Sequence, residues 1–449
     1  MPYDGQQAGK RGHSDFIKNP DVQAFLAECE YLKTPGREVA ERIAATYVEA
    51  PKRDELPSLV VASDASPYAN SIDDKFPSTQ VGYVKVSLMA FDMADYNGLQ
   101  RPDSPFVDPF AAAELHNRGR AVAFTLPGSN VKYKNLGVQD GFRLAVYEQF
   151  SHDRTRFRDG LSITELLFRL EDGQIEVKKC PCCGEEVGFC FTPKEDVSRC
   201  PKCDAEVYVT DDLRIHEQIS DHGDNKSAIT RFMNAAEHLL LANFVNTLAA
   251  KNLDVLCGTV VMLDGPLALF GQPAKYHASL QRFYNSVFKR CLDRGKTPPL
   301  ILGLQKEGQV MEHARSIAPY LRNGTYRPIT DDYRAEFING LAPQTDNFGH
   351  ETYYGQDFIY KTDSGRVFDV CLAYPFADKQ DRKAFAKKKG EVEHYEPWVA
   401  RAFALLRHLE CDLYENATVP TVLAHRHASI SLKPGGTLLD VLTKKHLGA

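Results

Sequence analysis

Two runs of apolar residues, two hundred positions apart, each lead into an aspartate. Ser58-Leu-Val-Val-Ala-Ser precedes Asp64, and Asp254-Val-Leu-Cys-Gly-Thr-Val-Val-Met-Leu precedes Asp264. Short apolar runs of this kind predict buried strands. In an open α/β sheet, ligands bind outside the carboxyl ends of the strands. If the two strands are parallel neighbours, both carboxylates converge on one point, where they suit Mg²⁺ or Mn²⁺. Either aspartate alone would also fit a turn or a helix N-cap.

The rest of the chain alternates between two kinds of periodicity. A 3.6-residue period predicts helices, and a period of two or a short apolar run predicts strands. The predicted helices cover 21–50 (interrupted at 34–36), 140–150, 162–170, 227–251, 275–294, 311–322, 398–414 and 419–429. The other predicted strands cover 82–92, 121–126 and 299–304, followed by a hairpin over 357–374. Early antiparallel strands followed by strand–helix alternation predict an α/β fold with a mixed sheet flanked by helices.

The 449 residues and the 43% apolar content allow a full core with insertions. We expect five segments along the chain. They are a helical N-terminal arm (1–55), the first part of the core (56–174), a cysteine-rich insertion (175–212), the second part of the core (213–432) and a C-terminal tail rich in Pro and Gly (433–449).

The insertion carries the strongest local motif. Cys180-Pro-Cys-Cys183-Gly and Cys200-Pro-Lys-Cys203 form two C-x-x-C knuckles at the spacing of a four-thiolate zinc ribbon. Cys182 and Cys190 are surplus, and a register with Cys182 in place of Cys183 stays open, although the Cys-Pro-x-Cys-Gly form favours Cys180 and Cys183. A closed four-Cys site has no coordination position free for chemistry. We therefore expect structural zinc, with the ribbon serving as a staple that also contacts DNA or a partner.

Composition and charge narrow the function. The five cysteines outside the ribbon are isolated in apolar or helical contexts, which indicates a reducing compartment. No apolar run approaches eighteen residues and the first residues do not resemble a signal peptide, so we expect a soluble, cytoplasmic protein without a membrane partner. The net charge of −6 argues against non-specific coating of DNA but is compatible with a nuclease. A Walker A motif is missing from the sequence, so the chain is not its own motor.

Three more residues could complete a site around the two aspartates. Glu237 borders the apolar face of the helix before the second acidic strand, where an unpaired carboxylate is costly. Lys306 follows the predicted strand 299–304 and could neutralise a phosphate, although Glu307 beside it could be the functional group instead. His425, on a late helix, could ligate metal or transfer a proton. Each residue by itself would also fit an ordinary structural or solvated position.

The order of these motifs resembles the NurA family of DNA-end-processing nucleases. The resemblance is carried by short islands, and Glu237 occupies the place of the family's helical glutamate. The islands are Val61-Ala-Ser-Asp64-Ala-Ser, Met262-Leu-Asp264-Gly-Pro-Leu-Ala-Leu-Phe-Gly, Leu302-Gly-Leu-Gln-Lys306 and Pro420-Thr-Val-Leu-Ala-His425-Arg-His-Ala.

The resemblance implies a dimeric nuclease with an RNase H-like core that depends on Mn²⁺ or Mg²⁺ and works with a HerA-type hexameric ATPase. The chain departs from the family in three respects. Ala65 stands where the family usually has glycine, Tyr414 lies farther from the histidine than the family's tyrosine, and the zinc ribbon is an insertion. The ribbon suggests a specialised bacterial version, in DNA repair or in phage defence.

The sequence thus predicts an α/β, RNase H-like mixed sheet with an inserted four-Cys zinc ribbon. The predicted function is a DNA nuclease in which Asp64, Glu237 and Asp264 hold Mn²⁺ or Mg²⁺, with Lys306 and His425 as further catalytic residues. Two alternatives remain: a non-catalytic scaffold or nucleic-acid-binding subunit that bridges partners through the ribbon, and an RNA-directed enzyme of the same fold class.

Overall fold

A nine-stranded mixed sheet forms the centre of the protein in the computed structural model. The structure describes residues 17–447, except for 54, 74, 100–107, 222, 224, 341–347, 411–416 and 431–434. The strands of the sheet are β1 (Val48–Glu49), β2 (Leu59–Asp73), β3 (Phe76–Asp92), β4 (Arg120–Pro127), β9 (Thr259–Asp264), β10 (Leu300–Gln305), β11 (Thr325–Pro328), β12 (Gly355–Lys361) and β13 (Val367–Ala373). Two small hairpins outside the sheet pair β5 (Ile175–Val177) with β6 (Phe189–Phe191) and β7 (Val197–Arg199) with β8 (Glu206–Tyr208).

Helices flank this sheet and connect its strands. They are α1 (Pro20–Glu28), α2 (Arg37–Ala44), α3 (Met93–Asn97), α4 (Pro109–Asn117), α5 (Val138–Ser151), α6 (Ile163–Leu170), α7 (Lys226–Lys251), α8 (Leu253–Cys257), α9 (Tyr276–Leu292), α10 (Gln309–Ile317), α11 (Asp331–Tyr333), α12 (Arg382–Lys388), α13 (Glu396–Leu409), α14 (Val419–Ala428) and α15 (Gly435–Leu447). In the described part of the chain, none of them has the length and apolar character needed to cross a bilayer.

The sheet combines a parallel centre with antiparallel flanks. Its strand order is β1-β11-β12-β13-β10-β9-β2-β3-β4. The strands β2, β9 and β10 run parallel, and the remaining neighbours are antiparallel. Parallel neighbours need a long crossover, which α9 supplies between β9 and β10. The prediction of a mixed sheet flanked by helices is therefore confirmed.

The strand that carries Asp64 differs from its prediction. We expected this strand to end at the aspartate, but β2 continues to Asp73 because β3 stays paired with it along this length. What ends near Asp64 is the neighbouring strand β9, whose pairing with β2 stops at Ser63 and Leu263. Asp64 therefore lies inside β2 but at the edge of the sheet that forms where the neighbouring strand β9 ends. Ala65 lies in extended strand at this point, which accommodates its side chain.

Three further differences have simple causes. Residues predicted as the start of the second acidic strand form the short helix α8, capped by the Asn252 side chain, and β9 begins only at Thr259. The predicted C-terminal tail contains helix α15, in spite of its two glycines. The strands β1 and β11 are too short to show a period in the sequence; β11 is fixed by its pairing with β12, and β1 by its pairing with β11.

Two apolar clusters fill the interior. The larger one spreads over both the central strands and the ribbon, and includes Val60, Val261, Leu302, Phe232 and Phe191. The smaller cluster joins α2 and α10 to β12 and contains Ile43, Ala314 and Ile359. Helix α2 therefore packs on the core, whereas α1 buries none of its residues.

Candidate active site

Three of the predicted site residues meet at the edge of the sheet. Ligand atoms of Asp64, Asp264 and His425 all lie within 4.8 Å of one another. These residues come from β2, the last position of β9, and α14. The Asp64 carboxylate is close to the Asp264 carboxylate because β2 and β9 are parallel neighbours in register. Two carboxylates and an imidazole at this separation form a set of ligands suited to a divalent cation.

Asp64 is held in an environment that disfavours its charge. Its side chain is 10% exposed, and burial followed by repulsion from Asp264 raises the pKa of Asp64 to about 6. His425 and Lys306 lower this pKa in part. The Ala65 backbone N–H donates to Asp64 Oδ1 (2.8 Å), which fixes the carboxylate plane. A cation between the two carboxylates would relieve their repulsion.

Glu237 approaches the two aspartates from the other face of β2. Successive strand residues point to opposite faces; Ser63 donates to Glu237 Oε1 (3.1 Å) on α7, whereas Asp64 contacts His425 on α14. Helices α7 and α14 therefore cover opposite faces. Glu237 is buried, and burial followed by repulsion from Asp64 and Asp264 raises its pKa well above the usual range. It lies outside the set of ligand atoms within 4.8 Å, and its role as a metal ligand stays a prediction.

Lys306 forms an ion pair with Asp264. Its Nζ lies 2.5 Å from Asp264 Oδ2, and its side chain is 27% exposed. Arg315 on α10 donates to the Lys306 carbonyl oxygen (2.8 Å) and so supports the turn that carries the lysine. A cation that is exposed in part and fixed beside a carboxylate can also reach a phosphate that approaches this edge.

The loop after Asp264 depends on two glycines. Gly265 adopts a φ of 142°, a conformation that favours glycine. A Cβ on Gly303 of β10 would lie 2.2 Å from the Gly265 carbonyl oxygen, so the loop crosses β10 only because residue 303 lacks a side chain. The loop then pairs with the segment before β12, where the Leu269 N–H donates to the Thr352 carbonyl.

His425 is the exposed member of the set. Its Nδ1 lies 2.7 Å from Asp64 Oδ2, while its side chain is 60% exposed. A carboxylate that contacts one ring nitrogen orients the imidazole. The exposed ring is accessible to solvent. Tyr414, the tyrosine nearest to His425 in the sequence, lies outside the described residues.

The four cysteines predicted as zinc ligands also converge. The sulfur atoms of Cys180, Cys183, Cys200 and Cys203 all lie within 4.8 Å of one another. The Cys180–Cys203 and Cys183–Cys200 sulfur distances are 3.7 and 3.8 Å. Sulfurs bound tetrahedrally at ~2.3 Å from zinc are about 3.8 Å apart, so the cluster fits zinc without rearrangement.

The two surplus cysteines fall outside this cluster. Cys182 contacts Asp140 (3.0 Å) and Arg143 (2.9 Å) on α5, and Cys190 lies on strand β6. The structure thus decides the register that the sequence left open, in favour of Cys183 as the member of the cluster.

Sequence reasoning missed Ser63 and Arg315. Both act through contacts with residues distant in the chain or through the backbone, and neither stands in a recognisable motif. The adjacency of Ser63 to Asp64 was the one available signal, because alternation along a strand would have sent its hydroxyl to the face of α7.

The structure is similar to a solved structure of a nuclease. The crystal structure of the NurA nuclease from Sulfolobus solfataricus aligns with a TM-score of 0.36 and 8% sequence identity, covering 97% of each chain. No family model matches the sequence, and no curated protein matches it. At this TM-score the similarity decides nothing about the family or the activity of this chain.

Proposed function

We propose that the protein is a metal-dependent DNA nuclease that hydrolyses phosphodiester bonds. The observation that carries this proposal is the convergence of Asp64, Asp264 and His425, from three distant segments, at one edge of the sheet. A buried Asp64 carboxyl whose pKa is raised by burial and by a neighbouring carboxylate is costly for a fold unless a ligand or a reaction uses it. The antiparallel β2–β3–β4 unit beside parallel β9 and β10 supports an RNase H-like core.

The residues present fit Mn²⁺ or Mg²⁺. Asp64 and Asp264, which converge with His425, supply oxygen ligands, and Glu237 is the third proposed oxygen ligand. When bound, the cation supplies positive charge that stabilises the extra negative charge of a phosphate during hydrolysis. Lys306 adds a second positive charge at the same edge. His425, which contacts Asp64 and has its ring open to solvent, either ligates the cation or transfers a proton.

The four-Cys cluster is proposed as a structural zinc site. Its sulfur spacing supports this assignment. In addition, the two hairpins of the ribbon have strands of only three residues and are too small to be stable on their own. We further propose, from the family resemblance, a homodimer in the cytoplasm that acts on duplex ends or on strands fed by a HerA-type hexameric ATPase, in DNA repair or anti-phage defence.

The test is cleavage of a labelled linear duplex in the presence of Mn²⁺, Mg²⁺ or EDTA, with and without a HerA-type ATPase. Wild type is compared with Asp64→Ala and Asp264→Ala, each checked for a folded state by circular dichroism. We expect metal-dependent cutting that both substitutions abolish. Cutting that survives either substitution would overturn the proposed site.

Two further arms separate the alternatives. An RNA duplex of the same sequence, included in the same assay, distinguishes a ribonuclease from a deoxyribonuclease. A protein that binds duplex DNA and contains zinc, yet cuts nothing in any arm, would instead be a scaffold or a DNA-binding subunit.

A further inference from the structure

The ribbon is attached to the core by a buried arginine that contacts both of its halves. Arg143 on α5 donates to Cys182 Sγ (2.9 Å), which lies in the first knuckle, and to the Glu206 carbonyl (2.7 Å), which follows the second. It also forms a two-point contact with Asp211, from Nε to Oδ1 (2.9 Å) and from Nη2 to Oδ2 (2.6 Å). This set of contacts exists only when the two knuckles are held together.

The contacts continue from Asp211 to its neighbour. Asp211 and Asp212 belong to the short helical turn Val209–Leu213, and both are buried. Asp212 accepts a hydrogen bond from the Tyr276 hydroxyl (2.7 Å) and pairs with the Lys275 ammonium. The buried Asp212 carboxylate needs these partners, because an unpaired buried charge is strongly destabilising.

Lys275 and Tyr276 stand where α9 begins. The residues between Asp264 and α9 form the loop that crosses β10 at Gly303. The ribbon is therefore linked to the loop 265–275 through Asp211, Asp212 and the start of α9. This loop directly follows the proposed metal ligand Asp264. The Tyr276–Asp212 hydrogen bond and the Arg143–Asp211 pair are buried, whereas the Lys275 side chain is 47% exposed.

We propose that zinc in the four-Cys cluster holds the loop 265–275 in place, with Arg143, Asp211 and Asp212 as positioning residues. The inference rests on the zinc part of the proposed function and is independent of nuclease activity. Without zinc, the two knuckles lose the ion that joins them, Arg143 loses its fixed partners, and the Asp211–Asp212 turn loses its support. The loop after Asp264 is then free to open.

The experiment is hydrogen–deuterium exchange of the full chain, followed on peptides from 265–276 and, as an internal reference, from β10. Zinc content is measured in every sample. In wild type, removal of zinc by a chelator should raise exchange in 265–276 about tenfold, which corresponds to about 1.4 kcal/mol of local opening, and added zinc should restore it. Unchanged exchange in 265–276, with the ribbon deprotected, would overturn the proposal.

Two variants test the link without removing zinc. Asp212→Asn and Tyr276→Phe should raise exchange in 265–276 while zinc content stays at one ion per chain. The matched control is Asp204→Asn, because Asp204 lies on the ribbon, is 87% exposed and has a φ of 59° that asparagine tolerates; it should behave as wild type.

These variants decide the proposal even where zinc removal unfolds the whole chain and deprotects β10 as well. Raised exchange confined to 265–276 in zinc-loaded Asp212→Asn or Tyr276→Phe supports the link, and protection equal to wild type in both overturns it. A chain that never binds zinc would refute the zinc assignment on which the inference rests, whatever the outcome of the cleavage assay.

Discussion

Two buried serines on neighbouring strands differ in one respect that bears on the site. Ser63 donates its hydroxyl to Glu237, whereas the Ser87 hydroxyl, on the residue of β3 that pairs with Asp64, has no partner among the described residues. Both side chains are fully buried. Substitution of each serine therefore allows a matched measurement of how much the Ser63–Glu237 hydrogen bond contributes to the free energy of unfolding.

Ser63→Ala should lower the free energy of unfolding by about 1–3 kcal/mol, because it leaves the buried Glu237 oxygen without its donor. Ser87→Ala should be neutral or stabilising, because it removes a buried hydroxyl that has no hydrogen-bond partner among the described residues. Urea unfolding of both variants checks this difference. Equal effects of the two substitutions would contradict a supporting role for Ser63.

Asp64 gives a prediction about pH. Its pKa in the fold is about 6, above its ordinary value of 3.8, so the folded protein favours the protonated carboxyl. The stability that this group contributes is complete below about pH 4 and is lost as pH rises through about 6. Without added divalent metal, Asp64→Asn should therefore gain stability relative to wild type, by up to about 3 kcal/mol at pH 7 compared with pH 4.

Urea unfolding at a series of pH values measures this gain. The control is Asp159→Asn, since the Asp159 side chain is 96% exposed and pairs with Lys251 at the surface. A stability difference between Asp64→Asn and wild type that stays constant from pH 4 to pH 7 would rule out a raised pKa for Asp64.

The sequence located the residues that converge but not the contacts that hold them. Asp64 and Asp264 stood out because each follows an apolar run, and His425 because it stands at the late histidine of the family that the sequence resembles. The bond from Ser63 to Glu237 joins positions 174 apart, and the network around Arg143 joins the ribbon to α5. Such pairs follow from tertiary packing, on which local pattern carries no information.

At the scale of elements, the long strands and helices were predictable because their periodicity is strong. The helix α7 was expected at 227–251 and spans Lys226–Lys251, and the hairpin of β12 and β13 was expected at 357–374. The extension of β2 beyond Asp64 was not, since polar residues there are held by pairing with β3 rather than by burial. The periodicity of apolar residues can be recognised within one segment, whereas the pairing of a strand depends on a second segment of the chain.

The loop that crosses β10 at Gly303 should be sensitive to a single added methyl group. Gly303→Ala would place a methyl group 2.2 Å from the Gly265 carbonyl oxygen, and backbone rather than a flexible side chain must move. We expect a loss of about 1–3 kcal/mol of stability, together with weaker Mn²⁺ binding because the loop begins at Asp264. Thermal unfolding and calorimetric Mn²⁺ titration measure the two effects.

Gly98→Ala is the control for Gly303→Ala. A methyl group on Gly98 meets neighbouring atoms at 3.4 Å, and φ there is −75°, so alanine needs little adjustment. Full stability and unchanged Mn²⁺ affinity in Gly303→Ala would show that the loop shifts without consequence for the site.

At the scale of the whole molecule, the ribbon and the acidic site use different ligands and should hold different metals. Cys203→Ser should reduce bound zinc from one ion per chain to none and lower the melting temperature, because a thiolate ligand is lost. Cys190→Ser should keep its zinc, since Cys190 lies outside the cluster. Elemental analysis of the purified variants checks this; zinc retained by Cys203→Ser would contradict the assignment.

The acidic site should reveal its metal through stability alone, before any cleavage is observed. A ligand that binds only the folded protein stabilises it by about 2.7 kcal/mol at a hundred times its Kd, so Mn²⁺ should raise the melting temperature of wild type in a concentration-dependent way. Asp264→Asn should abolish this increase, because one of the two converging carboxylates is gone. Glu307→Gln should retain it, since Glu307 is exposed beside Lys306 and outside the converging set. An increase that persists in Asp264→Asn would mean that Mn²⁺ binds elsewhere, and the site at the edge of β9 would lose its role.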